Sequence, residues 1–128
     1  MNYTTNVGEG GLAADQTDRL ISSEKVEGTA VFDSTGAHLG RVRHLMIDKH
    51  TGQVAFAVAT FGGFLGIGEN LFPLPWKLLR YDTRRAGYVV DVDRAKLAGA
   101  PSYASAVSPD WSDRAYEAQI TKYWLPPV

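Results

Sequence analysis

Three histidines are the first residues whose type and spacing could bind a metal. His38, His44 and His50 recur at intervals of six residues. A zinc site needs three or four ligands that converge on one point, and the chain has no cysteine to complete such a set. His38 and His50 fall in predicted turns at opposite ends of one strand, so they cannot share an ion within one copy. We therefore expect neither a metal site nor a bound cofactor.

A glycine-rich run over residues 62–69 (GGFLGIGE) is the second candidate, because such runs can cradle a phosphate group. A phosphate loop exposes its backbone N–H groups at a helix start and often carries Lys followed by Ser or Thr. Here Phe64, Leu65 and Ile67 interrupt the glycines, and an extended segment with prolines follows. We expect a tight loop with glycines at positive φ. Its three apolar side chains form either a contact surface or part of the packing.

Aspartates that lie close to arginines between residues 80 and 93 are the third candidate for chemistry. Ion pairs at the protein surface explain this grouping without any catalytic role. The chain also lacks the Gly-x-Ser-x-Gly pattern that presents a serine nucleophile in many hydrolases. We therefore expect no catalytic residues, and we interpret the chain as a protein that is not an enzyme.

The composition predicts one domain of ordinary size. The chain has 128 residues, 45% of them hydrophobic, and a formal net charge of −1. That length can bury one core and carry an added arm or helix, but not a second full core. The sequence has no run of 18 apolar residues for a membrane span and no visible secretory signal. We therefore expect a cytoplasmic protein with no membrane span.

The elements that would position these groups are mostly short strands. Runs rich in β-branched and aromatic residues alternate with turn signals such as residues 33–36 (DSTG) and 49–52 (KHTG). Short strands at this spacing indicate a small barrel or sandwich. The predicted strands cover residues 26–33, 39–48, 53–61, 70–76, 78–82 and 87–92.

Three of these strands carry further expectations. Alternation breaks inside residues 39–48, which indicates either a bulge or a strand buried on both faces. In residues 53–61 large side chains such as Phe56 and Val58 alternate with alanines. We expect the large face to fill the barrel and the alanine face to lie against the C-terminal helix or a second subunit. Pro73 and Pro75 predict an edge strand or a strand end over residues 70–76.

The C-terminal part reads as helical. A short helix is predicted over residues 94–98, and a second helix should begin at residues 108–110 (SPD), which form a good N-terminal cap. Tyr116, Ile120, Tyr123 and Trp124 then form one apolar stripe. The stripe could pack on the barrel of its own chain or cross to another chain. We expect a homodimer, because the small barrel has apolar residues on both strand faces.

Several short motifs in order resemble the PRC-barrel family. They begin with GTAVFD at residues 28–33 and LGRV at 39–42, and continue with ID at 47–48 and TGQV at 51–54. The glycine-rich run at residues 62–69 and PLPW at 73–76 complete the pattern. The resemblance covers about residues 20–100 and implies a small, strongly curved β-barrel of about six strands with a short C-terminal helical appendage.

The resemblance implies interaction roles and no catalysis. Better-understood relatives are the cytoplasmic domain of the photosynthetic reaction-centre H subunit and the C-terminal domain of the ribosome-maturation factor RimM. The present chain has neither the transmembrane helix of the former nor the N-terminal domain of the latter, so neither function transfers directly. Its resemblance is to the stand-alone bacterial members, and it divides the chain into an arm (1–19), the barrel (20–100) and an aromatic-rich tail (101–128).

Two functions follow as expectations. The first is a non-catalytic protein-interaction and assembly module that buries exposed apolar residues inside a charged rim. Its predicted contact residues are Phe64, Leu65, Ile67, Trp76, Trp111, Tyr116, Tyr123 and Trp124. The alternative is an RNA- or ribosome-associated factor that uses the mildly basic middle of the chain, although the pI of about 6.3 is low for that class. Its predicted contact residues are Arg41, Arg43, Arg80, Arg84 and Arg85.

Overall fold

The computed structural model of the protein describes residues 17, 19–62 and 70–125. These residues form one seven-stranded sheet in the order β5-β6-β1-β2-β3-β4-β7. The strands are β1 (Ala30–Asp33), β2 (His38–Ile47), β3 (Val54–Thr60), β4 (Asn70–Pro75), β5 (Arg80–Asp82), β6 (Gly87–Val90) and β7 (Tyr103–Ala104). The helices are α1 (Ser23–Val26), α2 (Arg94–Ala98) and α3 (Arg114–Trp124), and a 3-10 turn covers Trp76–Leu78.

The sheet curls around one core and remains open, since β5 and β7 do not pair within the part of the chain that the structure describes. All neighbouring strands are antiparallel except β1 and β6, which are parallel. The expected small all-β barrel with a C-terminal helix is confirmed, with seven strands in place of about six. Within the described ranges, no helix is long and apolar enough to cross a membrane.

The turn between β1 and β2 forms as its sequence predicts. One carboxylate oxygen of Asp33 accepts hydrogen bonds from the backbone N–H of Thr35 and Ala37 and from the Thr35 hydroxyl, at 2.6 to 2.9 Å. Gly36 has φ of 92°, a left-handed conformation that favours glycine. The side chain of Thr35 lowers the pKa of the Asp33 carboxyl the most, followed by the N–H of Ala37.

The first strand begins later than predicted. Residues 26–33 were expected to be extended, but Ser23–Val26 forms one helical turn and β1 starts at Ala30. The hydroxyl of Ser22 accepts a hydrogen bond from the N–H of Glu24 at 3.2 Å and caps this turn. Gly28 then takes φ of 87°, which redirects the chain into the strand.

The break in alternation on β2 is a bulge. The pairing of β2 with β3 shifts register between Val42 and His44 and again between Met46 and Ile47. Between the shifts, Leu45 lies opposite Ala57. The bulge therefore explains the run of apolar residues at 45–47 without a strand buried on both faces.

Both faces of β3 carry buried residues. Ala57 and Ala59 lie in the core beside Leu74 and Phe72, their partners on β4. Phe56 lies on the opposite face, is 5% exposed and contacts Trp111 of the C-terminal segment, with ring centroids 5.7 Å apart. Residues of both faces belong to one core cluster with α3, so this cluster does not assign one face to the barrel interior and the other to the helix.

The proline-containing strand β4 occupies an edge position only in part. It lies between β3 and β7, but β7 pairs with Asn70 and Leu71 alone. Pro73 and Pro75 pair with β3 on one side and have no β7 residue on the other. This part of the strand therefore needs no outward N–H donor, which is where proline is tolerated.

The short helix α2 is confirmed, but α3 begins later than predicted. It starts at Arg114, and the side chain of Asp113 accepts a hydrogen bond from the N–H of Ala115 at 2.9 Å. Ser108, the expected cap, therefore lies outside the helix, and Asp110 closes a turn of its own by accepting hydrogen bonds from the backbone N–H and hydroxyl of Ser112. The apolar stripe is confirmed, since Ile120 and Trp124 are buried in the same core cluster as the barrel.

Candidate functional site

The predicted contact residues divide into three groups. Phe64, Leu65 and Ile67 lie outside the described residues, so that part of the surface stays a prediction. Trp76 and Trp111 are half-buried at the margin of the core. The remaining three aromatics, Tyr116, Tyr123 and Trp124, belong to α3 and pack against their own chain.

Trp124, one of the predicted contact residues, is buried within its own chain. Its side chain is only 4% exposed, because α3 docks in cis on the barrel. Tyr123 is half-buried, its hydroxyl donates to the carbonyl of Lys96 at 2.7 Å, and the Lys96 ammonium lies 4.3 Å from the centre of its ring. The sequence alone left open whether this helix packs in cis or in trans.

Open apolar surface remains where α3 borders the start of β3. Two cavities of about 190 and 450 Å³ share Ala55 and Phe56. Glu117 of α3 borders the smaller cavity, and Thr121 of α3 and its C-cap Leu125 border the larger one. We call this surface the apolar groove. The smaller cavity is further lined by Met46, Ile47, Asp48 and Trp111, and the larger by Gln53, Val54, Pro75, Trp76 and Lys77.

The apolar groove exposes side chains that a core would normally cover. Ile47 is 53% exposed and Ala55 is also exposed, while Met46 is half-buried. Trp111 forms one wall and contacts Phe56 and Tyr116 through tilted and edge-on ring contacts. The charged residue that lines the larger cavity is Lys77, whereas the charged residues that line the smaller cavity are Asp48 and Glu117.

Trp76 and Trp111, both predicted from the sequence, line this groove. Ile47, Met46 and Ala55 were missed as contact residues. Their exposure depends on the register between β2 and β3, which shifts between Met46 and Ile47 at the end of this hairpin. The only available signal was the apolar run at residues 45–47.

The five predicted RNA-contacting arginines are all exposed, but they do not form one cluster. Arg41 and Arg43 lie on β2, while Arg80, Arg84 and Arg85 belong to β5 and its turn. The strands β1 and β6 separate the two groups, a distance of about 14 Å at the usual strand spacing. Arg41 donates to the carbonyl of Gly28 at 3.1 Å, and Arg85 pairs with Asp82 at 2.6 Å.

A larger cavity of about 980 Å³ lies between the β1–β2 turn and the start of α2. Sequence reasoning missed it, because its walls come from distant parts of the chain. Its charges are mixed and its floor includes the indole of Trp124. The charged lining residues are Asp33, Asp91, Asp93, Arg94 and Lys96. Among the described residues, no three His, Cys, Asp or Glu side chains are grouped so that they could hold a metal ion.

Tyrosines show the strongest effects of burial on pKa. Burial and the nearby Tyr81 raise the pKa of Tyr88 to about 12. Burial also raises the pKa of Tyr116, with a smaller contribution from Tyr103 on β7. These hydroxyls therefore stay protonated at neutral pH.

The comparison with protein-family models agrees with this architecture. The model described as "PRC-barrel domain" matches residues 18–97, which is more than half of the chain and covers β1 to β6 with α2. No curated protein matches the chain. The order of the sequence motifs, the open curved sheet and this match lead to one conclusion: the chain belongs to the PRC-barrel domain family.

Proposed function

We propose that the protein is a non-catalytic interaction and assembly module that forms a homodimer through the apolar groove. The observation that carries this proposal is the exposed apolar surface around Ile47, which is 53% exposed beside half-buried Met46 and Trp111. Burial of contiguous apolar surface is the main driving force of association. A role in protein interaction is common among PRC-barrel domains.

The charges on the groove margin favour a second copy as the occupant. One end carries Asp48 and Glu117, and the other end carries Lys77, with Phe56 between them. In a twofold arrangement, the lysine of each copy faces the carboxylates of its partner. Such a margin gives specificity, while the apolar centre supplies most of the affinity.

The mass of the protein in solution tests the proposal. Light scattering coupled to size-exclusion chromatography should show the 14.0 kDa chain at twice its monomer mass, with dissociation on dilution. Ile47→Ser should shift the protein to monomer, because it removes the most exposed apolar side chain of the groove. Val107→Ser is the matched control, since Val107 is 63% exposed but does not line the groove.

A charge exchange tests the orientation of the two copies. Lys77→Glu should weaken the dimer by placing carboxylates on both facing margins. The double variant Lys77→Glu with Glu117→Lys should restore part of the affinity, because the new lysine faces the new glutamate while Asp48 keeps its negative charge. A monomeric wild-type protein, or a dimer that none of these substitutions weakens, would refute the proposal.

RNA binding is the second candidate, and the exposure of all five arginines favours it. Fluorescence anisotropy with a labelled single-stranded RNA should then show affinity that falls steeply with salt. Arg41→Glu and Arg80→Glu should each weaken binding. Apolar dimerisation should instead persist at high salt, so the same salt series separates the two candidates. The leading proposal, an interaction and assembly module, also places the protein in the cytoplasm.

A further inference from the structure

Some hydrogen-bonding groups of helix α3 lack partners where the helix packs on the barrel. Among the described residues, two buried side-chain polar atoms have no partner, the hydroxyl of Tyr116 and the indole nitrogen of Trp124, and both belong to this helix. A buried donor that leaves water without gaining a partner disfavours the docked state. Ile120 and Trp124, 0% and 4% exposed, must therefore hold α3 by apolar contact.

Polar links between α3 and the barrel are correspondingly few. Within the described part of the chain, the hydroxyl of Tyr123 makes the helix's one side-chain hydrogen bond to another element, to the carbonyl of Lys96. The Lys96 ammonium over the Tyr123 ring adds one cation–π contact. Release of α3 therefore breaks few directional interactions, and the same apolar and polar contacts can re-form on an identical barrel.

The chain that precedes α3 is an exposed connector between the sheet and the helix. Residues 105–110 connect β7 to Trp111, the first residue of the segment that contacts Phe56. Five of these six residues are exposed. Their backbone hydrogen bonds are local, from Val107 to Ala104 and from Asp113 to Asp110. Fully extended, six residues span about 20 Å.

We infer that the C-terminal segment, Trp111 to Leu125, exchanges between two copies, so that each α3 docks on the barrel of the other. This inference rests on the proposed dimer, because α3 borders the apolar groove and two grooves in contact bring both helices together. Cis docking and exchanged docking make identical helix contacts. The groove-to-groove contact is the same in both forms, so their free energies within the dimer are close and the exchanged form is populated.

The cysteine-free chain allows a direct test by cross-linking. Lys96 and Lys122 are both exposed and line one cavity of about 520 Å³, beside Gln119 and Tyr123 of α3. One variant carries Lys96→Cys and the other Lys122→Cys. The two are mixed at a concentration where the protein is dimeric, left to equilibrate, and treated with a short bismaleimide reagent. The background control replaces Lys96→Cys by Lys25→Cys, an exposed lysine on α1 that does not line this cavity.

The exchanged dimer predicts a covalent species that contains one copy of each variant and has twice the 14.0 kDa mass on a denaturing gel, at a yield above that control. The double variant within one chain shows that the reagent spans the pair. A protein that is dimeric by light scattering but gives the mixed species only at background yield overturns the exchange and leaves the proposed function standing. A protein that is monomeric at all concentrations overturns both.

Discussion

The β1–β2 turn and helix α3 are held by opposite means. In the turn, the carboxylate of Asp33 accepts three hydrogen bonds from residues within four positions along the chain. In the helix, two buried polar atoms have no partner and one side-chain hydrogen bond reaches another element, among the residues described. This turn of the barrel is therefore specified by local polar geometry, whereas α3 is held by apolar burial that another copy can supply equally well.

The largest expected effect breaks the barrel side of this comparison. An added Cβ at Gly40 would lie 1.8 Å from the backbone oxygen of Thr60 and 2.9 Å from the ring of Phe61. Gly40→Ala should therefore force β2 and β3 apart and cost at least about 3 kcal/mol of folding free energy. Gly62→Ala is the matched control, because nothing lies within 4 Å of its added Cβ.

Thermal and urea unfolding followed by circular dichroism measures both glycine variants. Gly62→Ala should stay within about 0.5 kcal/mol of wild type. Equal stability of Gly40→Ala and Gly62→Ala would show that β2 and β3 can separate at this point without loss. The tight approach would then not be a requirement of the barrel.

The next effect separates the barrel from the helix directly. Phe72 is 1% exposed in the barrel interior. Trp124, the last residue of α3, is 4% exposed where the helix packs on the barrel. Replacing either residue by alanine should remove packing contacts worth about 3–5 kcal/mol of free energy. Phe72→Ala should lower the protection of the whole sheet. Trp124→Ala should release α3 while β1 to β6 keep most of their protection.

Amide hydrogen exchange resolved by residue distinguishes the two variants, because it reports local opening separately from global unfolding. Limited proteolysis within residues 105–110 gives a second measure of helix release. If Trp124→Ala lowers the protection of β2 and β3 as much as Phe72→Ala does, then α3 is an integral part of the barrel core and the contrast fails.

A smaller effect concerns the turn and depends on pH. The Thr35 side chain and the Ala37 N–H hold the pKa of Asp33 below the ordinary value of 3.8. A lowered pKa in the folded state contributes stability that is full above the unfolded value and is lost as the pH falls through the folded value. Asp33→Ala should therefore lower the Tm at pH 7, and the difference from wild type should shrink below pH 4.

Melting curves between pH 2.5 and pH 7 measure this dependence. Asp91→Ala is a suitable control, because Asp91 is exposed and lines the neighbouring cavity without forming part of the turn. Its Tm should follow wild type across the range. A constant difference between Asp33→Ala and wild type at all pH values would show that the carboxylate charge contributes nothing to the turn.

Local signals predicted most of the barrel from the sequence. The turns at Asp33 and Asp48 formed because aspartate and glycine each have a specific role there, as hydrogen-bond acceptor and as left-handed residue. The boundary errors have the same local origin. Ser22 capped a helical turn at the start of a predicted strand, and Asp113, not the predicted Ser108, capped α3. Several polar residues could have capped each helix, and the sequence pattern did not rank them.

The candidate site was only partly predictable, because long-range register decides it. Trp76 and Trp111 were identified from the sequence because they are large aromatic residues. Ile47 was not, because its exposure follows from the register shift beside Met46. Alternation in β3 did not separate its two faces for a related reason. Residues of both faces, Phe56 and Ala57 among them, are buried in one core cluster by contacts with distant parts of the chain.

The smallest effect compares two tyrosines on the same helix. The hydroxyl of Tyr116 is buried without a partner, whereas that of Tyr123 donates to the carbonyl of Lys96 at 2.7 Å. Tyr116→Phe should therefore stabilise the protein by about 1 kcal/mol, because it removes a hydroxyl that lost its water contacts and gained nothing. Tyr123→Phe should destabilise it by a similar amount, about 1 kcal/mol, because a formed hydrogen bond is lost.

Urea unfolding of the two variants measures these opposite changes in folding free energy. A general preference for phenylalanine on a helix would instead shift both variants in the same direction. The same pair also addresses the exchange of α3. Tyr116→Phe should slow the formation of the mixed cross-linked species, because α3 is then docked more stably. Tyr123→Phe should speed it, because α3 is docked less stably. If both substitutions destabilise the protein equally, the Tyr116 hydroxyl has a partner in solution, such as a bound water, and α3 is better seated than its contacts indicate.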